Sequence, residues 1–565
     1  MTRPCERSTL LLTVFAIAPM VAMPACGDSG SGADEVGATG ITEGPEGSGS
    51  GPESSDSGSS GDTGSSSDGT GSSDTSSSSD SSSSNDGGTK FDLAPSGDAA
   101  DDGGVMIPLS CDTIDMFPAT SVGCEFFAVQ FPSYANALPY GIAVGNPSME
   151  TAMVTIEDMR GPGNSLRVIT TFAVEPTESV LTPINGSGGL LPGENHMVTA
   201  LGLSPHAAFR VSSDVPVTAM QLFPVGGGPS HVSEASMLLP VNALDQSYIS
   251  SGWLDFNGAQ GSVVVVAIED ATTVLTEGGD YMLDAFDAWH FSSGAEGTGF
   301  FVGADKPVAV FSGIDCTMIP ALPWYACDHI EEQMLPLSAW GTHYVGARHP
   351  HRVPNINPQP EEVFWRVIAA VENTTITLNP PVAGAQIQLA TVGDWQSFGT
   401  AESFEATGDH PFLLVQYMSG CYNVIKNTGS PSNCNQGATG DPYMAQAVPV
   451  EQWLTQLPFL TDTSYPRDFV TIVREQGTTV TLDCLGEVSA DHFTPIPGTI
   501  YEVGQVDLDI NGGGGEGSCV DGAQFLTADK PVGVLVGGMD WATSYGYPGG
   551  LSLSALWEPP IDPQG

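Results

Sequence analysis

Short runs of alternating apolar and polar residues fill the chain from about residue 105 onward. They are rich in Val, Ile, Thr and Phe, the side chains that favour a pleated, half-buried surface. Tyr140-GIAVGN, Val263-VVVAIE, Phe364-WRVIAAVE and Phe469-VTIVRE each read as a strand, and each is followed by a second: Ala152-MVTIED, Ala271-TTVLTE, Asn373-TTITLN and Gly477-TTVTLDC. A third phrase recurs four times, as Ser213-Asp214-Val215-Pro216-Val217, Ala304-Asp305-Lys306-Pro307-Val308, Gly408-Asp409-His410-Pro411-Phe412 and Ala528-Asp529-Lys530-Pro531-Val532. Apolar residues flank it, so Asp and Pro are expected to form the turn of a hairpin, through side-chain capping by Asp and the fixed φ of Pro. A fourth phrase, His231-VSEASMLLP, His329-IEEQMLP, Pro442-YMAQAVP and Pro548-GGLSLSALW, ends near Leu244, Trp340, Trp453 or Trp557.

Recurrence at this period predicts an all-β protein of four tandem β-rich repeat modules. Successive aspartates of the Asp-x-Pro phrase stand 91, 104 and 120 residues apart, room for six or seven short strands per unit. That count fits sandwich-like modules packed in tandem; the alternative is a propeller-like ring in which each unit supplies two blades. The expected modules are 105–229, 230–326, 327–439 and 440–565, the last including a C-terminal tail.

The N-terminus has a different character. Arg3 and Arg7 precede the apolar run Leu10 to Ala18, and small residues and a cysteine follow at Ala22 to Cys26. Residues 1–25 therefore read as a lipoprotein signal peptide, with Cys26 the lipid attachment site. Residues 26–104 are mostly Ser, Gly, Asp and Thr; positions 27–104 hold sixteen acidic residues, one Lys and one aromatic, Phe91. A segment so poor in apolar surface is expected to be a disordered tether. An exported protein at a bacterial outer membrane or cell surface, touching the membrane only through its lipid, is the implied location.

Charge narrows the partners. The chain carries 14 Lys and Arg against 66 Asp and Glu, a net −52. No basic footprint exists for nucleic acid or for anionic lipid, so neither is an expected partner. Ten cysteines are present. Cys5 leaves with the signal and Cys26 takes the lipid, which leaves an even eight for disulfides in an exported chain. Cys316 and Cys421 stand at equivalent places after the Asp-x-Pro phrase, which predicts Cys316–Cys327 and Cys421–Cys434; Cys111–Cys124 and Cys484–Cys519 follow by elimination.

Chemistry is sparse. The folded part has no G-x-S-x-G, H-E-x-x-H or P-loop. His349-x-His351, near His329 and His343 and the acids Glu331 and Glu332, would present two imidazoles on one face if it were a strand. No metal site is assigned there, and a polar loop is the simpler reading. Asp507, Asp509 and Asn511 match the first half of a calcium loop, but Ser518 stands where the closing Glu belongs. They are the single calcium candidate; no other cofactor is expected.

Gly123-Cys-Glu-Phe-Phe-Ala-Val129, the recurrent Ala304-Asp-Lys-Pro-Val308, and the junction Cys327-Asp-His-Ile-Glu-Glu-Gln-Met-Leu-Pro336 with Ala339-Trp-Gly341 resemble the N-terminal domain of the IgGFc-binding protein family over most of 111–560. The resemblance implies an extracellular β-rich recognition module and no catalytic residue. The chain lacks the cysteine-dense von Willebrand-type domains of the animal protein and has a lipoprotein-like leader, so immunoglobulin binding is not carried over. The expected function is binding or adhesion, or a structural role, at the cell surface toward an unknown extracellular glycan or protein. The alternative is an extracellular hydrolase acting on polysaccharide or protein. Binding is expected in the variable stretches 160–196, 343–358, 421–441 and 511–519. Trp324, Tyr325, Trp340 and Tyr344 are aromatic candidates beside the second disulfide loop, with Trp340, Trp453 and Trp557 more simply explained as junction core.

Overall fold

The Asp-x-Pro phrases lie in mid-strand, and that placement organises the whole protein. A computed structural model describes residues 110–134, 138–227, 230, 232–254, 260–321, 327–355, 357–384, 386–424 and 440–561. The expected lipid site Cys26, the tether 26–104, and Cys434, Trp324 and Tyr325 lie outside the described residues. Ala208–Phe223, Phe301–Thr317 and Ala523–Asp540 are single long strands, each with the phrase at its middle. In the third module the same path is split into Phe404–Gly408 and Phe412–Tyr417. The expected hairpin is therefore corrected: the chain does turn back at Asp-x-Pro, but its two arms pair with strands of different sheets and not with each other, so that Val129, paired with Ala208, also reaches Gln221.

The pairing shows why Pro is tolerated there. Residues 208–213 pair with Gly123–Val129 and Ala152–Gly161, whereas residues 218–223 pair with Gly141–Gly145 and Glu234–Met237. Pro216 sits at the crossing, where no ladder bond is lost for want of its N–H. The aspartate ties this kink to the neighbouring strand. Asp214, Asp305, Asp409 and Asp529 each accept a hydrogen bond through Oδ1 from a backbone N–H, of Met153, Thr273, Thr375 and Thr479, at 2.7, 2.7, 2.7 and 2.8 Å. Those donors open the second recurrent phrase. At its first residue the chain turns through the left-handed region in three modules, at Ala271, Asn373 and Gly477, where φ is +53°, +59° and +84°.

Each module is thus a sandwich of two sheets sharing one kinked path. In the third module the sheets run His343–Gly346, Phe404–Gly408, Thr374–Asn379, Gln386–Leu389 and Trp395–Thr400, Val363–Ala369, Phe412–Tyr417, Met444–Gln446. The other three follow the same order. Apolar runs fill the interior: Val263, Val264, Val265 and Val266 are all fully buried. Each such side chain contributes roughly 1.5–3 kcal/mol. Gly202–Ser204, which precedes the first kinked strand, pairs with Ala288–Ser292 of the second module and stitches the two together.

The sandwiches also close into a ring. The last strand of each module, Glu234–Met237, Asp328–Gln333, Met444–Gln446 and Thr543–Pro548, packs beside the last strands of the modules before and after it; the first three pair with the module before the one that the boundaries at 230, 327 and 440 assign them to. The fourth meets the first: the N–H of Ser233 donates to Thr543 Oγ1 at 2.9 Å. A seam completes the closure. Thr120 bridges Ser552, the N–H of Ser121 donates to Leu551 O at 3.0 Å, and the N–H of Leu553 donates to Ala119 O at 2.7 Å. Tandem sandwiches and a ring, alternatives in the sequence, are combined in one architecture. Among the described residues no helix is long and apolar enough to cross a membrane.

Candidate functional site: the loop end of the ring

The antiparallel registers send most of the variable loops to one end. Gly141 pairs with Pro183 and Leu222, Val363 with Thr400, and Arg467 with Ile510 and Met539. The beginning of one strand therefore lies beside the ends of two others in every module, and the loops joining them emerge together. The starts of the first, third and fourth axial strands are bonded to one another, the N–H of Asp441 donating to Ser544 Oγ at 3.3 Å and Ser233 being held by Thr543, and the second, Asp328–Gln333, packs beside the first and third. All four modules thus present this end to the same side.

Beneath that end lies a buried acidic hub. Glu234, Asp328, Glu331, Glu332 and Asp441 are at most 1% exposed. The Glu234 carboxylate accepts from Gly546 N on one oxygen and Met444 N on the other, both at 3.2 Å, and so joins the first module to the third and fourth. Glu331 accepts from Gln221 Nε2 at 2.8 Å and lies 3.2 Å from His329 Nε2. Gln333 Oε1 accepts from Leu239 N and Gln446 Oε1 from Leu335 N, both at 2.9 Å, the same link repeated between successive modules. Burial pushes the carboxyls of Glu234, Asp328 and Glu332 well above the usual range, and neighbouring carboxylates add to the shift. Sequence reading missed this hub, although the recurrent fourth phrase with its Glu and Gln positions was its trace.

Disulfides stiffen the loops. Cys111–Cys124, Cys316–Cys327 and Cys484–Cys519 are joined, with Cα separations of 5.9, 5.4 and 4.6 Å. Cys421 is disulfide-bonded as well; its expected partner Cys434 lies outside the described residues. The backbone N–H of Cys421 donates to Asp441 Oδ1 at 2.9 Å, anchoring this loop on the hub. Tyr134, half exposed, stands near Asp328, Asp315 and Asp441, and burial with these carboxylates raises its phenol.

The remaining candidates separate. Asp507 accepts from Arg467 Nε at 2.9 Å, and Asp509 accepts from the N–H groups of Gly512 at 2.6 Å and Gly514 at 2.7 Å. Asn511 is an exposed turn residue with φ +58°. The two carboxylates serve an ion pair and a glycine turn. Trp340 and Tyr344 are fully buried, and Trp340 and Trp453 each donate their indole N–H to the carbonyl five residues back, of Leu335 and Val448, at 3.2 Å. Trp557 is not their equivalent: it lies in the tail and donates to Leu337 O of the third module.

His329 belongs to the hub, and His343 pairs with Glu405 at 2.8 Å. His349 and His351 lie in a loop rather than a strand, so the shared strand face expected of them does not form. They surround Glu361, at 3.7 Å each, together with Arg348 at 3.5 Å and Arg352 at 3.0 Å. Those charges hold the Glu361 carboxyl down at about 2 despite its burial, while burial drives His349 down to about 3.

Two constellations were not foreseen. Asp158, Glu194 and His196 group closely enough to hold a cation. Arg167 already forks onto both carboxylates, at 2.9 Å from Asp158 and 2.8 Å from Glu194, so the positive charge comes from the protein itself. Ser489, His492 and Glu516 form a line, with Ser489 Oγ 3.0 Å from His492 Nδ1 and Glu516 2.7 Å from Nε2. Serine and histidine here are three residues apart in one exposed turn, which accounts for their bond without catalysis.

A family model described as IgGFc binding protein matches residues 234–538. A human protein, "IgGFc-binding protein", is 26% identical over 330 residues, covering 55% of this chain and 5% of that relative. The matched region takes in the axial strands of the first three modules and ends before that of the fourth, Thr543–Pro548.

Proposed function

Because the chain belongs to the IgGFc-binding protein family, we propose that it is a recognition protein held outside the cell, whose loop end engages an extracellular protein. Cys26 carries the lipid, residues 26–104 form the reach, and the four-module ring is the rigid head. The observation that carries this reading is the family match over 234–538 on a ring whose disulfide-stapled loops emerge together. Recognition on loops held by a repeated scaffold is a common division of labour. The human relative's name refers to immunoglobulin Fc; this chain spans about a twentieth of that protein, and Fc is here one probe among others.

The test is an array of extracellular proteins, Fc included, probed with the lipid-free full chain and with a variant whose loop residues 511–518 are replaced by a Gly/Ser linker, keeping Cys519 and its bridge to Cys484. Saturable binding to a defined protein, weakened in the variant at an unchanged melting midpoint, is the expected result. No saturable binding by the intact chain would overturn the reading. Cys26→Ser should abolish metabolic lipid labelling and release the protein from membranes; equal labelling in the variant would remove the anchor from the proposal.

A further inference from the structure

We propose that the cleft between the third and fourth modules binds an acidic sugar, a pyranose carrying a carboxylate. The site is distinct from protein recognition by the loops and does not require it.

The cleft encloses about 260 Å³ and is lined by Arg348, Pro360, Glu402 and Ser403 of the third module and by His492, Thr494, Ile496, Pro497 and Gln505 of the fourth, among others. That volume suits one sugar ring rather than a larger ligand. Its cation is unusual in this protein. Every other Arg and Lys among the described residues donates at least one hydrogen bond to a carboxylate, hydroxyl or carbonyl. Arg348 Nε and Nη2 are buried without a hydrogen-bond partner, and the side chain is 15% exposed. It forms an ion pair with Glu361 Oε2 at 3.5 Å, too long for a hydrogen bond, while Arg352 bonds the other oxygen of that carboxylate. A buried guanidinium whose donors lack hydrogen bonds is costly, and its forked donors match a carboxylate.

The backbone of Arg348 is fixed from both sides. Its N–H donates to Ser403 Oγ at 3.2 Å, and its carbonyl accepts from Gln505 Nε2 of the fourth module at 2.9 Å. The main chain of Arg348 is therefore held at the junction of the two modules. Around it stand groups suited to hydroxyls: Glu402 as acceptor, Thr494 and Ser403 as either, His492 beyond. Pro360, Ile496 and Pro497 offer an apolar wall for the C–H face of a pyranose. An acidic peptide would satisfy Arg348 but would bring its own amides toward Glu402 and two proline rings, where a ring of hydroxyls finds better partners.

Ligand-observed NMR and calorimetry with the full chain test this, using D-galacturonate and D-glucuronate as probes, D-galactose and D-glucose as neutral counterparts, and an N-acetylated peptide ending in aspartate as competitor. Binding of a uronate and not of its neutral counterpart, weakened at least about tenfold by Arg348→Gln, is expected. Arg348→Lys should retain part of it, because the charge remains and the fork is lost. Thr494 is exposed at the rim, so Thr494→Trp should block the cleft while leaving Arg348 and the fold in place; it decides the matter if Arg348→Gln fails to fold. The proposal falls if neither uronate binds, if neutral sugar binds equally, if Thr494→Trp or a folded Arg348→Gln binds as well as the parent, or if the peptide binds at Arg348 and the sugars do not.

Discussion

Replacing Glu234 tests the ring at its hub. Its two carboxylate oxygens accept backbone N–H groups from Met444 and Gly546, 210 and 312 residues away along the chain. Glu234→Ala leaves both of these inter-module donors, and the N–H of Ala235, without their acceptor in a site closed to water. A stranded buried donor costs about 1–3 kcal/mol, so the pair costs about 2–6 kcal/mol before any cavity is counted. Glu234→Gln keeps one acceptor and turns a donor toward the other N–H, so it should cost roughly half as much. Urea denaturation followed by tryptophan fluorescence reads both changes. The variants also differ in pH response. Burial raises the Glu234 carboxyl above its unfolded value, so its contribution is fully present below the unfolded pKa and is lost as pH rises through the folded one. Glu234→Gln cannot ionise and should flatten that alkaline loss. A Glu234→Ala protein within about 0.5 kcal/mol of the parent would show that the hub is not held through this residue.

Other predictions follow from the same geometry. Asp305→Ala removes the bond from Thr273 N and should lower stability by roughly 1 kcal/mol while leaving ligand binding intact; loss of binding at full stability would make the phrase a site. Replacing Cys316 and Cys327 together by Ser opens a short loop and should cost on the order of 3 kcal/mol, read from the denaturation midpoint under non-reducing conditions; an unchanged midpoint refutes it. On acidification, His349, driven down to about 3, and Glu361, held at about 2, both take up protons more readily unfolded than folded. Stability should therefore decline from about pH 6.5 downward, with Glu361 adding below its ordinary range. His349→Phe should remove the upper part of that decline, and an identical pH profile in the variant would argue against it.

Strands and modules were legible in the sequence because alternation and turn residues are local. Val263 to Val266, Thr374 to Asn379 and their counterparts follow the pleat directly. The sheet crossing was not legible: Asp and Pro between two apolar runs punctuate a paired hairpin and a turn between two sheets in the same way, and only pairing distinguishes them. Bridges such as Cys316–Cys327 were readable from spacing, since the partners are 11 residues apart. The hub and the cleft could not be read so. Glu234 finds its partners two and three modules away, and the cleft assembles Arg348, Glu402 and Gln505 from separate stretches. Trp557 resembled Trp340 in context, but a tail without a following module folds back on an earlier one.

The bridge between Cys111 and Cys124 has a mechanical meaning. Ring closure depends on Thr120 and Ser121, which lie between those two cysteines. Tension arriving along the chain from the N-terminal side reaches Cys111 first and crosses the sulfur bridge directly into Cys124, within the strand Gly123–Val129 and its ladder on Ala208–Phe223. The intervening segment is then slack. The load path bypasses the clasp, so a pull strong enough to strain the first module leaves the seam at rest, whereas in a reduced protein the same pull would peel that seam open first.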